Sequence, residues 1–96
     1  MNIKLSQQIR AAGVNPYTKV VRTFQSTFTP QAGHKISDPA FGDMQYYDVE
    51  DVIIDFSENE CWVILPTMII PSDDIEDLRD AVREYRSHGW ECPKPV

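Results

Sequence analysis

Between Val52 and Leu65, two alternating runs flank four polar residues, and this pattern most limits what the chain can fold into. Val52, Ile54 and Phe56 alternate with Ile53 and Asp55, and Cys61, Val63 and Leu65 alternate with Trp62 and Ile64. Ser57-Glu58-Asn59-Glu60 lies between them. Strand side chains point to two faces in turn, so a period of two gathers one apolar set on one face. A short polar link between two such runs is a hairpin loop. The pattern predicts an antiparallel hairpin over about 51–65, with Asp51, Ile53 and Asp55 facing away from Val52, Ile54 and Phe56. A further strand is expected around Met44–Val49.

The period then changes. Ile75, Leu78, Val82 and Tyr85 fall on one helical face, after Pro71-Ser72-Asp73-Asp74 and before Gly89. Ser72 is the expected N-cap, acids occupy the first turn, and Gly89 is the expected C′ residue. This predicts a helix over about 73–88, onto which Trp90 folds back.

The first 28 residues allow two readings. Leu5, Ile9 and Ala12 have helical spacing before Gly13, which predicts a short first helix over 3–12. Asn15-Pro16 suits a helix start, and Tyr17, Val20, Val21, Phe24 and Phe28 share a helical face. Against a second helix, Thr18, Val20, Val21, Thr23 and Thr27 are β-branched, and Val20, Phe24 and Phe28 would also share one face of a strand. Helix is the expectation here. Residues 29–43 hold Pro30, Gly33, Pro39 and Gly42 and are read as a long loop. Together these elements predict one α+β domain over 1–96. It has an N-terminal helical region, a small antiparallel sheet built on the hairpin, and a C-terminal helix packed on that sheet.

Charge is divided along the chain. Residues 1–37 contain Lys4, Arg10, Lys19, Arg22 and Lys35 and no acid, whereas residues 38–96 hold all 15 acids against four basic residues. Such asymmetry points to a charged partner, or to two halves that face and neutralise one another in the fold. At 100° per residue, Asp73, Asp77, Asp80 and Glu84 fall within an arc of about 60° on the last helix. Like charges at i, i+4 repel, so this line is locally unfavourable. A docking role would account for it, and so would a solvated face kept for solubility. Asp51, Asp55, Glu58 and Glu60 extend the acidic character onto the hairpin.

Other chemistries find little in the residues. His34, Cys61, His88 and Cys92 could in principle hold zinc, but none forms a close C-x₂-C or H-x₃-H pair. No phosphate-binding or dinucleotide glycine pattern occurs, and no loop has calcium-ligand spacing. No cofactor or enzymatic activity is therefore expected. Two cysteines in a chain of this size are read as reduced thiols. The longest apolar stretch, Trp62–Ile70, is broken by Pro66 and Thr67. It is shorter than the roughly 20 residues a spanning helix needs, and no signal-peptide core opens the chain. The expectation is a soluble, cytoplasmic protein.

In style, the chain is similar to phage-encoded or mobile-element proteins that inhibit host nucleases or transcription machinery: short, acidic and dense in surface charge. That resemblance implies a binding module that occupies a basic surface, such as the nucleic-acid groove, of a larger host protein. Asp51, Asp55, Glu58, Glu60, Asp73, Asp77, Asp80 and Glu84 would form the contact, with Trp62, Tyr46 or Tyr47 as aromatic anchors. The alternative is a small DNA-binding regulator. Leu5–Val14 followed by Asn15–Thr18 looks like the start of a helix-turn-helix, with Lys19 and Arg22 on the second helix.

Overall fold

The computed structural model describes residues 1–42 and 45–96. Met44, where a further strand was expected to begin, lies outside them.

The N-terminal helical region is not formed. Residues 2–25 are instead two long antiparallel strands, β1 (Asn2–Ala11) and β2 (Tyr17–Gln25). The reason is visible in β1. Ile3, Leu5, Gln7, Ile9 and Ala11 all point to one buried face. Leu5 and Ile9 fit a helix and a strand equally well, and the polar Gln7 hides the period of two that the other four residues follow. In β2 the β-branched Thr18, Val20, Val21 and Thr23 take the extended backbone they favour. Gly13 ends no helix. It lies between the two strands and donates its N–H to the Ser72 carbonyl at 2.9 Å. A Cβ there would stand 2.6 Å from Asp73 Cβ, so glycine is required by the close approach.

The chain continues through β3 (Lys35–Ile36), a 3₁₀ turn (Pro39–Phe41) and β4 (Tyr47–Asp48). It then forms β5 (Asp51–Asp55), β6 (Glu60–Ile64), β7 (Met68–Ile70) and one helix, α1 (Ile75–Ser87). β5 and β6 make the expected hairpin, and β3 pairs with β4 inside what was read as loop and strand. The main sheet is mixed rather than antiparallel. β6 runs parallel to β1 along Asn2–Ser6, and β7 runs parallel to it along Ile9–Ala11. The strand order is β2-β1-β6-β5.

Between β6 and β7 the register against β1 slips by one residue, because three steps on β1 from Ser6 to Ile9 match four steps from Ile64 to Met68. Pro66, with no N–H to give to a ladder, sits in this bulge. Gln7 fills the break: its Nε2 donates to the Pro66 carbonyl at 2.9 Å, and its Oε1 accepts from the Tyr85 hydroxyl at 2.6 Å. A fully buried amide is thus satisfied at both ends.

Helix α1 packs on the Ile3–Ile9 face of β1 through Leu78, Val82 and Tyr85. Its N-cap is Asp74, whose side chain accepts from Glu76 N, and not Ser72. Ser72 Oγ instead accepts the Asp74 N–H. Gly89 follows the helix at φ 91°, as expected of a C′ glycine, and Trp90 folds back with its ring 5.1 Å from Tyr85. Phe41 and Tyr47 complete the aromatic cluster, 4.8 Å apart and edge to face. Among the described residues no helix is long and apolar enough to cross a membrane.

Candidate interaction surface

The sheet has two unlike sides. One carries the core, α1, the 3₁₀ turn and Val49. The other bears the alternate residues: Lys4, Ser6, Gln8 and Arg10 of β1, Tyr17, Lys19 and Val21 of β2, Trp62 and Ile64 of β6, and Asp51, Ile53 and Asp55 of β5. The eight expected contact acids do not come together on either side. Asp77, Asp80 and Glu84 lie on the solvent face of α1, away from the sheet. Asp51, Asp55 and Glu60 lie on the open face of the sheet, at the opposite surface of the molecule. Asp73 precedes the helix, in the turn against Gly13.

Several of these acids already have work within the fold. Asp80 pairs with Arg83 one turn on, Glu84 lies 3.2 Å from His88 Nε2, and Asp77 accepts from the Ser72 hydroxyl. These contacts relieve the repulsion along the helical line. Asp55 Oδ1 accepts from Ser57 N, Ser57 Oγ and Glu58 N. Those hydrogen bonds, the Ser57 hydroxyl first among them, hold its carboxyl below the ordinary value of 3.8. Glu60 pairs with Lys4 at 3.0 Å. Glu58 is exposed in the hairpin loop, and Asp51 is exposed at the start of β5.

The charge division is partly resolved by pairing between the two parts of the chain. Lys4 meets Glu60, Arg22 meets Asp38 and Lys35 meets Asp48. Arg10 and Lys19 have no carboxylate partner among the described residues. Lys19 Nζ and Lys4 Nζ instead stand 5.3 and 5.1 Å from the centre of the Trp62 ring. Such placement is weakly attractive. Beside them a shallow open depression of about 480 Å³ is lined by Gln8, Tyr17, Lys19, Val21, Trp62 and Pro93.

Sequence reasoning missed Asp38. This buried carboxylate caps the 3₁₀ turn at Ala40 N and accepts from Trp90 Nε1 at 3.0 Å. Together with Arg22 it ties β2, the 29–50 segment and the C-terminus to one point. Asp followed by Pro39 is an N-cap and N1 pair, and that signal could have found it. The open face was also missed, because Tyr17 and Lys19 were assigned to a helix. The helix-turn-helix geometry that DNA reading would need is not formed, since residues 2–25 are strands.

The expected anchors divide. Tyr47 is committed to the aromatic cluster, Trp62 is half-buried beneath two lysines, and Tyr46 is exposed. The four soft ligand residues are held in separate settings. Cys61 is buried in the core, which pushes its thiol pKa up. Cys92 Sγ lies 3.1 Å from Thr18 Oγ1, His34 stacks on Phe28, and His88 meets Glu84.

Comparison of the chain with known protein families, with curated proteins and with solved structures finds no match.

Proposed function

We propose that this protein is a binding domain that docks a basic segment of a larger protein along the outer edge of β5. The observation that carries the reading is the chemistry of that edge. Among the described residues β5 pairs with β6 on one side only. Val52 packs against the core, but the other apolar side chains are left outside it, with Ile53 53% exposed, Ile54 42% exposed and Phe56, just beyond the strand, 83% exposed. Asp51, Asp55 and Glu58 bracket them.

An unpaired edge offers a row of main-chain donors and acceptors to any extended chain. The acids decide which chain is welcome. Asp51-Val52-Ile53-Ile54-Asp55 reads almost the same in both directions. Antiparallel pairing of two such edges about Ile53 would set Asp51 against Asp55 of the other copy, and like charges directly opposite destabilise a sheet. A segment alternating lysine or arginine with apolar residues meets the same positions with opposite charge. The surface of a nucleic-acid-binding protein is one source of such a segment. The acids of α1 lie on the far surface and take no part in this contact.

The test is titration of a synthetic peptide alternating valine and lysine, followed residue by residue by NMR. Shifts should concentrate on residues 51–56, and Asp51→Lys with Glu58→Lys should weaken binding about tenfold. Asp80→Lys with Glu84→Lys should leave it unchanged. Absence of binding, or shifts confined to α1, would overturn the reading.

A further inference from the structure

The open face of the main sheet carries a pattern of its own, which shares Asp51, Ile53 and Asp55 with the β5 edge and extends over β6, β1 and β2. Its strand positions hold three cations, Lys4, Arg10 and Lys19, and three acids, Asp51, Asp55 and Glu60. Around these strands Glu91 is bridged to Val21 at the outer side of β2, and Lys94 and Glu50 border the depressions on this face, so positive and negative charge are nearly matched there. The face is also apolar for an exposed surface. Tyr17 is 60% exposed, Ile69 of β7 is 58% exposed beside Arg10, and Ile53, Trp62 and Ile64 join them. Ile53, Trp62 and Ile64 adjoin one another, and an apolar cluster left on a surface marks an interaction site.

The charges on it are sorted. Of the strand positions, the three cations are on β1 and β2 and the three acids are on β5 and β6, with the boundary running between β1 and β6 along the strands, while Glu91, bridged to Val21 beyond β2, is an acid on the basic side. We infer that a second copy of this chain covers the face, forming a two-fold dimer with the two open faces together. Closed two-fold symmetry brings the same patch of each copy into contact, so the patch must complement itself. A two-fold axis parallel to the strands, at the β1–β6 boundary, lays the basic half of one copy over the acidic half of the other. An axis across the strands would lay β2 over β2 and set lysine against lysine. Charge thus selects the first arrangement, in which the sheets pack roughly aligned.

The register names the contact. Val21, Ser6, Ile64 and Asp51 share one row across the sheet, and Lys19 is the next open-face position on β2. In the dimer Lys19 therefore reaches Asp51 of the second copy, and the pair occurs twice. Neither residue has an ion-pair partner within its own chain among the described residues. Trp62 lies near the axis.

The footprint is modest. At a strand spacing of about 4.8 Å and a rise of about 3.3 Å per residue, the face covers roughly 500 Å². Stable interfaces bury about 800 Å² per partner. The dimer is accordingly weak, and it loosens as salt screens the pairs.

Sedimentation equilibrium of three proteins tests this. The wild type should dimerise. Lys19→Glu and Asp51→Lys should each weaken association about tenfold, because each sets like charges together at both contacts. Mixing the two variants should restore a dimer, now a heterodimer. At one contact the two substituted side chains meet as an ion pair of reversed sign, and at the other the unaltered Lys19 and Asp51 meet as in the wild type. Both sites are exposed, and restoration on mixing also shows that each variant is folded. A wild type that stays monomeric at millimolar concentration would overturn the inference. So would single variants that associate like the wild type, or a mixture no tighter than its components.

Discussion

The β1–β2 and β5–β6 hairpins are both antiparallel ribbons in one sheet, yet they stand in opposite relation to the core. In β1, Ile3, Leu5, Gln7, Ile9 and Ala11 are buried under α1, and Ser6 is buried on the other side as well. In β5 no residue is fully buried, and Ile53 and Ile54 stay exposed. The contrast shows that legibility and structural weight are different properties. β5 announces itself because an edge strand is free to keep a simple alternation. The central strand β1 is written around its neighbours, and a buried glutamine interrupts its apolar period.

The largest test of that contrast compares truncations in the two ribbons. Ile9 has no exposed surface. Ile9→Ala should therefore destabilise the protein by about 2–5 kcal/mol, the range for a buried large-to-small change. Phe56→Ala should shift stability by no more than about 0.5 kcal/mol, as is usual for surface changes. Urea unfolding of the two variants reads both values. Equal losses would mean that the β5 ribbon is as much a part of the core as β1.

What could be read in advance follows the same line. The β5–β6 hairpin, the C-terminal helix face of Leu78, Val82 and Tyr85, the Gly89 terminus and the return of Trp90 all rest on local periodicity and caps, which a sequence displays directly. The N-terminal strands could not be separated from helices on spacing alone. Leu5 and Ile9 are four apart, which suits both periods, and Val20, Phe24 and Phe28 repeat the ambiguity. What decides it is non-local: β6 and β7 supply the parallel partners from more than 50 residues away. The charge division was plain in the sequence, but its place was not. Reading the acids along a helical line gathered them on α1, whereas the fold sets the helical and hairpin acids on opposite surfaces.

A second test bears on the glutamine that disguised β1. Gln7→Leu keeps a similar volume and restores the apolar alternation, so a rule based on pattern alone would expect no loss. The hydrogen bonds argue otherwise. The change removes the donor to the Pro66 carbonyl and leaves the Tyr85 hydroxyl only the weak Met68 Sδ contact at 3.8 Å, and each buried orphan costs about 1–3 kcal/mol. Tyr85→Phe in the same chain should recover part of this loss, giving a coupling of about 1 kcal/mol in a double-mutant cycle. The phenol has its own signature. Burial raises its pKa above the ordinary value of 10.0, with Tyr47 and Asp38 adding to the shift. A group whose folded pKa is raised contributes stability that is complete below its unfolded value and is lost as pH climbs beyond it. Wild type should therefore weaken above pH 10 in a way that Tyr85→Phe does not. A cycle with no coupling would reduce Gln7 to a space filler.

The smallest effect belongs to the β5–β6 ribbon and isolates the charge of Asp55. Its carboxylate gathers the Ser57 N–H, the Ser57 hydroxyl and the Glu58 N–H at the mouth of the loop. Asparagine presents an amide oxygen at the same position and can accept the same donors, so Asp55→Asn removes the charge and keeps the acceptor. Because the folded pKa is depressed, the contribution of the charge is present above the ordinary value of 3.8 and lost as pH falls through the folded value. The thermal midpoint of Asp55→Asn should therefore sit slightly below wild type at neutral pH, and the two should converge as the solution is acidified below pH 4. A difference between Asp55→Asn and wild type that stays constant with pH would assign the effect to amide geometry and remove the charge from the account of this turn.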